Sequence, residues 1–242
     1  MSGIVRIGLL GATGRMGAWV SRLVETEFKD HAVISARAGA GDDLTSLLKT
    51  DVVIDFSSSA AMAEVARAAL AGKGGLPAFV VGSTGWKPDE TAAVESLSKR
   101  TPVLISSNFS TGVTALMRIL RDAAPLLKKL GYSPVVVETH HQHKKDAPSG
   151  TAISLQKAIS PIDPASIQTH SIRSGEIIGD HEVTFYGPGD HLTLGHFAQD
   201  RSIFARGAID VAIWLAHRPR QATETLLSMD HYFGELKSCP KT

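Results

Sequence analysis

Cysteine is all but missing from this chain. Cys239, beside Pro240 in a polar C-terminal stretch, is the only one. An internal disulfide and a zinc site built on paired thiolates are therefore excluded, and the residue is expected to be incidental. An excess of charge of one sign is missing too: 25 Lys and Arg against 24 Asp and Glu leave a formal net charge of +1. That balance gives no electrostatic reason to expect a nucleic-acid or membrane partner. No apolar run reaches membrane length, and Arg6 and Arg15 interrupt the apolar stretch near the start, so a cytoplasmic location is expected. Internal repeats, low-complexity tracts and long linkers are absent as well. What remains is a chain of 242 residues, 43% hydrophobic and 20% charged, long enough for one large or two modest globular domains.

Reactive side chains concentrate between Glu138 and Thr151. Val135, Val136 and Val137 before this stretch read as a buried strand, and Ala152, Ile153, Leu155 and Ala158 after it read as an amphipathic helix. Pro148 suits a helix start, Ser149 is a candidate N-cap, and Gly150 leaves the backbone open to a ligand. A helix N-terminus presents N–H groups to an anion. His140, His141, His143, Lys144 and Lys145 stand just ahead of it, so proton donors and positive charge surround a place for a carboxylate. A polar surface loop is the plain alternative. A metal site is a third reading, with His141 and His143 on one face of an extended segment. No His-Glu-x-x-His is present, and Lys144 and Lys145 would repel a cation, so no metal is expected.

The first half of the chain alternates strand and helix. Ile4–Leu10 reads as a buried strand, then Gly11, Ala12, Thr13, Gly14, Arg15, Met16 and Gly17 form a glycine-rich turn into a helix through Val20, Leu23 and Val24. The spacing is Gly-x-x-Gly-x-x-Gly, and its context is that of a dinucleotide-binding turn: small residues admit a pyrophosphate and the helix N-terminus stabilises its charge. A tight turn with packing glycines is the alternative. A second strand, Ala32–Ala36, ends without the acid that usually binds the ribose hydroxyls about twenty residues beyond the glycines. Arg37 stands there and could pair with a 2′-phosphate, which favours NADPH over NADH, though a solvent-exposed structural arginine reads almost as well. Strands over 51–56, 76–81 and 102–106 alternate with helices over 60–71 and 88–100, predicting a parallel sheet covered on both faces. Polar loops follow those strands and should share its carboxyl edge, where ligands bind.

Beyond a helix over 112–130, which Pro125 is expected to kink or end early, the pattern changes. Short β-like runs at 167–172, 181–186 and 192–197, separated by Gly175, Gly179 and Gly187-Pro188-Gly189, predict an antiparallel or mixed sheet and hence a second domain. A helix over 205–215 is expected to return the chain to the first domain, followed by a short tail. The expectation is an α/β protein: a Rossmann-like doubly wound parallel sheet over residues 1–110 plus about 202–242, and a second α+β domain over 111–201 for substrate binding and oligomerisation.

The central stretch resembles the signature of the dihydrodipicolinate reductase family: a His-His pair, a lysine three residues after the second histidine, then Asp-Ala-Pro-Ser-Gly-Thr. Here these are His140, His141, Lys144 and Asp146 to Thr151. The segments from Gly175 to His181 and from Ser202 to Ala208 are also similar to the family, whereas the acid that often precedes the Arg37 position is Ala36 here. The resemblance implies an NADPH- or NADH-dependent reductase acting on a cyclic dicarboxylate, 4-hydroxy-tetrahydrodipicolinate, in lysine biosynthesis. It implies His140 as proton donor and Lys144 as partner of the developing negative charge. His141, Ser149, Gly150 and Thr151 would hold one carboxylate, and Arg201 is a candidate for the second, with a structural ion pair as the alternative. Gly82, Ser83, Thr84, Ser106, Ser107, Asn108 and Phe109 would line the nicotinamide pocket. A homotetramer, and domain closure before chemistry, are implied as well. Another two-domain NAD(P) oxidoreductase, such as an amino-acid or aldehyde dehydrogenase, leaves the His-His/Lys/Ser-Gly-Thr grouping unexplained; a non-catalytic nucleotide-binding regulator leaves the proton donors without a task.

Overall fold

The computed structural model describes residues 3–39, 41–218 and 226–238; Cys239 lies outside them. In chain order the elements begin β1 (Val5–Leu10), α1 (Arg15–Thr26), β2 (Ala32–Ala38), β3 (Val52–Asp55), α2 (Ser59–Ala71), β4 (Ala78–Val81), α3 (Pro88–Ser98) and β5 (Val103–Ile105). They continue with α4 (Thr111–Lys129), β6 (Ser133–His140), α5 (Gly150–Ile159), β7 (Gln168–Arg173), β8 (Asp180–Tyr186), β9 (His191–Phe197), α6 (Ser202–His217), β10 (Leu226–Leu227) and α7 (Met229–Ser238). Two compact units result, Met1–Phe109 with Ser202–Thr242, and Ser110–Arg201.

The first unit is a six-stranded sheet in the order β10-β5-β4-β3-β1-β2, and every pairing in it is parallel. Such a sheet must be covered on both faces, and β3 and β4 are accordingly buried along their whole length. Val20, Leu23, Ile209 and Ala212 of α1 and α6 cover one face. Met62, Val65, Val94 and Leu97 of α2 and α3 cover the other. The packing of α6 depends on Gly207, since a Cβ there would lie 1.9 Å from the Phe109 carbonyl oxygen.

The second unit is a four-stranded mixed sheet, β7-β6-β8-β9. Strand β6 pairs with β7 in parallel and with β8 antiparallel, and β8 pairs antiparallel with β9. Leu116 and Leu120 of α4 and Ala152 and Leu155 of α5 pack on Val136, Val183 and Phe185. By strand alternation Val135, Val137, Ile172, Tyr186 and Phe197 lie on the opposite face.

Two expectations fail. Helix α4 does not end early but runs through Pro125 to Lys129, held by the buried stripe of Leu116, Leu120 and Ala124. After α6 the chain does not trail off as a tail: β10 adds a sixth strand and α7 follows it. Two paired residues are too few to produce a strand pattern in the sequence.

Gly207→Ala should cost about 1–3 kcal/mol, the usual range for overpacking. Urea unfolding would show the loss as a lower midpoint, and an unchanged midpoint would contradict the close approach of α6 to Phe109.

Candidate active site

Strand alternation puts Val136, Glu138 and His140 on the face of β6 that the helices cover. Glu138 therefore carries a carboxylate into the interior, where its exposure is 0%. Arg173, opposite His140 on β7, grips both carboxylate oxygens, Nη2 donating to Oε1 at 2.8 Å and Nη1 to Oε2 at 3.1 Å. Nη2 also donates to the Asp146 carbonyl at 2.6 Å, which fastens the loop after β6. The Ser149 amide donates to Oε1 at 3.3 Å, and Nδ1 of His140 meets Oε2. Burial would raise the Glu138 carboxyl, but hydrogen bonds from Arg173, Ser171 and His140 outweigh it and hold the group below the ordinary carboxylate range.

His140 is buried, and burial pulls its pKa below that of an ordinary histidine, with Lys144 and Arg173 adding to the shift and Glu138 opposing it. Its Nε2 faces Gly179, where a Cβ would approach to 3.0 Å. His181 of β8 packs edge-on against it with ring centroids 5.1 Å apart. Nε2 of His181 meets Ser149 Oγ at 3.2 Å, and Ser149 Oγ caps α5 by accepting from the Ala152 amide at 3.1 Å. Burial, with help from the charges of His140 and Lys144, pushes His181 down to about 4.

Lys144, held by Asp146 at 2.9 Å, keeps that carboxyl low through its hydrogen bond. His141 is half-buried, and Gly150 is exposed with no atom within 4 Å of the place a Cβ would fill. Thr151 follows in the first turn of α5. His143 and Lys145 are exposed. Arg201 ends the second unit, half-buried, and no hydrogen bond or ion pair joins it to this cluster among the described residues.

At the carboxyl edge of the first unit's sheet, Gly11 adopts φ +83°, and a Cβ on it would come within 2.6 Å of the Phe56 carbonyl oxygen; one on Gly17 would lie 2.3 Å from the Gly11 carbonyl oxygen. Only glycine fits both places. Gly14 starts α1 with no side-chain cap, unlike α2, α4 and α5, which Ser58, Ser110 and Ser149 cap. Ala12 and Met16 pack against the core, and Thr13, Gly14 and Arg15 are exposed. An uncapped helix start behind a backbone too close for side chains fits a dinucleotide pyrophosphate. Arg37 is exposed and pairs with Glu25 of α1 at 3.3 Å.

Buried Asp55 ties the neighbouring loops together, accepting from the Ser57 amide at 2.8 Å and from Ser83 Oγ at 2.6 Å. Gly82, where a Cβ would strike the Phe56 ring at 2.6 Å, precedes Ser83; Thr84 is exposed beside it. Ser106 Oγ closes the next loop on the Asn108 carbonyl at 2.6 Å, leaving Ser107 exposed. The Phe109 ring is buried against Phe56.

The dihydrodipicolinate reductase N-terminal family model matches residues 5–109, and the C-terminal model matches residues 112–233. The chain belongs to the dihydrodipicolinate reductase family. It is 36% identical to the 4-hydroxy-tetrahydrodipicolinate reductase of Caulobacter vibrioides over 90% of this chain and 95% of that protein. Identity to the Zymomonas mobilis protein of the same name is also 36%, over 88% of this chain and 92% of that one. A dipicolinate-bound dihydrodipicolinate reductase from Paenisporosarcina sp. TG-14 shares the fold, with a TM-score of 0.76 at 21% identity over 93% of this chain and 97% of that one. Members of this reductase family are NAD(P)H-dependent oxidoreductases.

Within this reductase fold, sequence reasoning overlooked Glu138, Arg173 and His181 as parts of the site. A carboxylate two residues ahead of a histidine on one strand face was the available signal for Glu138; Arg173 and His181 arrive through strand pairing that spacing does not reveal. Glu138, His140 and His181 also place ligand-type atoms within 4.8 Å of one another. A cation there would have to displace the Arg173 guanidinium from Glu138, so the donor set suits proton chemistry better than metal binding.

A histidine held neutral in the fold loses stability as pH falls, because the unfolded chain takes up the proton first. For His181 the window runs from about 6.5, the unperturbed value, to about 4. Stability should fall through that window, by up to about 3 kcal/mol from this group. His181→Gln should flatten the dependence of the urea midpoint on pH; an equally steep fall in the variant would contradict the assignment.

Proposed function

We propose that the chain reduces 4-hydroxy-tetrahydrodipicolinate to tetrahydrodipicolinate, with loss of water, in the diaminopimelate route to lysine. The observation that carries this reading is the meeting of His140, Lys144 and the start of α5, where Ser149 caps and Gly150 lies open. A proton donor, a cation and an anion-binding backbone together suit an acceptor that bears a carboxylate and gains negative charge as it is reduced.

When bound, reduced NAD(P) supplies hydride to the conjugated imine carbon. The chain does the rest. His140 gives the proton that completes the reduction, and Lys144 stabilises negative charge on the conjugated nitrogen system. His141, Ser149, Gly150 and Thr151 hold one carboxylate, and Arg201 takes the second. Gly11, Ala12, Thr13, Gly14, Arg15 and Met16 cradle the pyrophosphate. The loops at Gly82, Ser83 and Thr84 and at Ser106, Ser107, Asn108 and Phe109 line the nicotinamide end.

NADPH is the preferred coenzyme in this reading, supported by the exposed guanidinium of Arg37, whose partner Glu25 holds it only through a solvated pair. One observation favours NADH instead. Asp42 Oδ2 accepts from the Gly39 amide at 2.8 Å, and a Cβ on Gly39 would stand 3.6 Å from both that carboxylate and the Thr13 hydroxyl. An acid beside the glycine turn is what ribose hydroxyls require. The proposal extends to a cytoplasmic homotetramer assembled through the second sheet, supported by the exposure of Ile172, Tyr186 and Phe197 on that sheet.

A coupled assay tests the reaction, with fresh substrate made from pyruvate and aspartate semialdehyde by its synthase and coenzyme oxidation followed optically. The expected result is oxidation that requires both substrate and this chain, a higher kcat/KM with NADPH, and a tetramer mass by light scattering. A higher value with NADH would move specificity to Asp42, and no oxidation with either coenzyme would overturn the assignment. His140→Gln should lower kcat by about 10²- to 10⁴-fold, the usual worth of general acid catalysis; undiminished kcat would remove His140 from its role.

A further inference from the structure

We propose that Glu138 and Arg173 are positioning residues for His140: the guanidinium fixes the carboxylate, and the carboxylate holds the proton on Nδ1 so that Nε2 is the atom that delivers. The proposal rests on His140 being the proton donor.

The geometry carries it. An imidazole has two nitrogens, and the partner of one decides what the other can do. Nδ1 of His140 meets Glu138 Oε2, and an ionised carboxylate only accepts, so Nδ1 is the donor in that contact. Nε2 then lies on the far side of the ring, against Gly179, where a Cβ would stand 3.0 Å from it. The carboxylate cannot drift, because Arg173 holds both of its oxygens and the Ser149 amide holds Oε1 as well. Four side chains meet across three adjacent strands in register, with His140 opposite Arg173 and Glu138 opposite His181. Stability is a poor explanation for such a pair. A buried ion pair commonly does no better than apolar residues of the same volume, and this one sits against the proposed donor.

The chemistry is a proton transfer. The Nε2–H bond of the imidazolium breaks and its proton goes to the reduced substrate. The imidazole is left neutral with Nδ1–H still on Glu138, whose carboxylate stays ionised throughout. The groups facing His140 are Glu138 on its own strand, Arg173 on β7, His181 on β8, and Lys144, paired with Asp146, on the following loop. Glu138 raises the His140 pKa, while Arg173 and Lys144 lower it. Glu138→Gln should therefore lower that pKa further, so that activity fails at a lower pH on the alkaline side. Arg173→Gln removes a lowering charge and should move the same limb to higher pH. Both should lower kcat by about tenfold or more, within the range of general acid catalysis.

The test is histidine-selective ¹⁵N NMR on the full unmodified chain, with His140→Gln for assignment, beside pH profiles of kcat for the two variants. The expected result is a neutral His140 protonated on Nδ1, with the alkaline limb moving down in Glu138→Gln and up in Arg173→Gln. A neutral His140 protonated on Nε2, or folded variants whose limbs stay where the parent's lies, would overturn the positioning role even if His140→Gln is inactive. The NMR result decides if neither variant folds. Normal turnover by His140→Gln alongside the expected Nδ1 signal would instead mark the donor reading as the failure, and the positioning role would fall with it.

Discussion

The ion pair between Glu138 and Arg173 is the constraint on which the second unit's site depends. Removing a carboxylate from water costs several kcal/mol unless charge and hydrogen bonds replace the lost solvent. At 0% exposure Glu138 meets that cost in full, and Arg173, His140 and the Ser149 amide are the replacements. Each of them belongs to a different piece of the chain: β7, the end of β6 and the start of α5. The one carboxylate therefore fixes where His140 stands and where α5 begins. Ser149 joins the network a second time through Oγ on His181 and the Ala152 amide.

The first unit uses a buried carboxylate too, with a different balance. Asp55 ends β3 and is as buried as Glu138, but hydroxyls and amides surround it rather than a cation. Burial therefore wins, and its pKa is raised while that of Glu138 is lowered. The gain is mechanical: Ser57 and Ser83 are tied to one another through Asp55, which holds two loops at the edge where strands of a parallel sheet present ligands.

Much of this was legible in the sequence for physical reasons. Strands buried on both faces, such as Val52–Asp55 and Ala78–Val81, read as short apolar runs, and alternation with alanine-rich or amphipathic helices implied a doubly wound sheet. The glycine turn was legible because Gly11 and Gly17 occupy places that no Cβ tolerates. The cluster from His140 to Thr151 was legible because it is local. Arg173 and His181 were missed because register, not spacing, brings them to β6. The sixth strand was missed because Leu226 and Leu227 form too short a segment to show a period. Pro125 misled because the lost N–H bond and the crowding of the carbonyl four residues back are local costs, and burial of Leu116, Leu120 and Ala124 along the same helix outweighs them.

Glu138 is held by Arg173 as an ionised carboxylate inside the protein. Its δ-carbon chemical shift, followed by ¹³C NMR from neutral pH downward with Glu138→Gln for assignment, measures that state directly. The expected titration lies below the ordinary glutamate value of about 4.3, as its hydrogen bonds to Arg173, Ser171 and His140 require. A titration at or above that value would mean that burial prevails over the guanidinium, and would contradict the account.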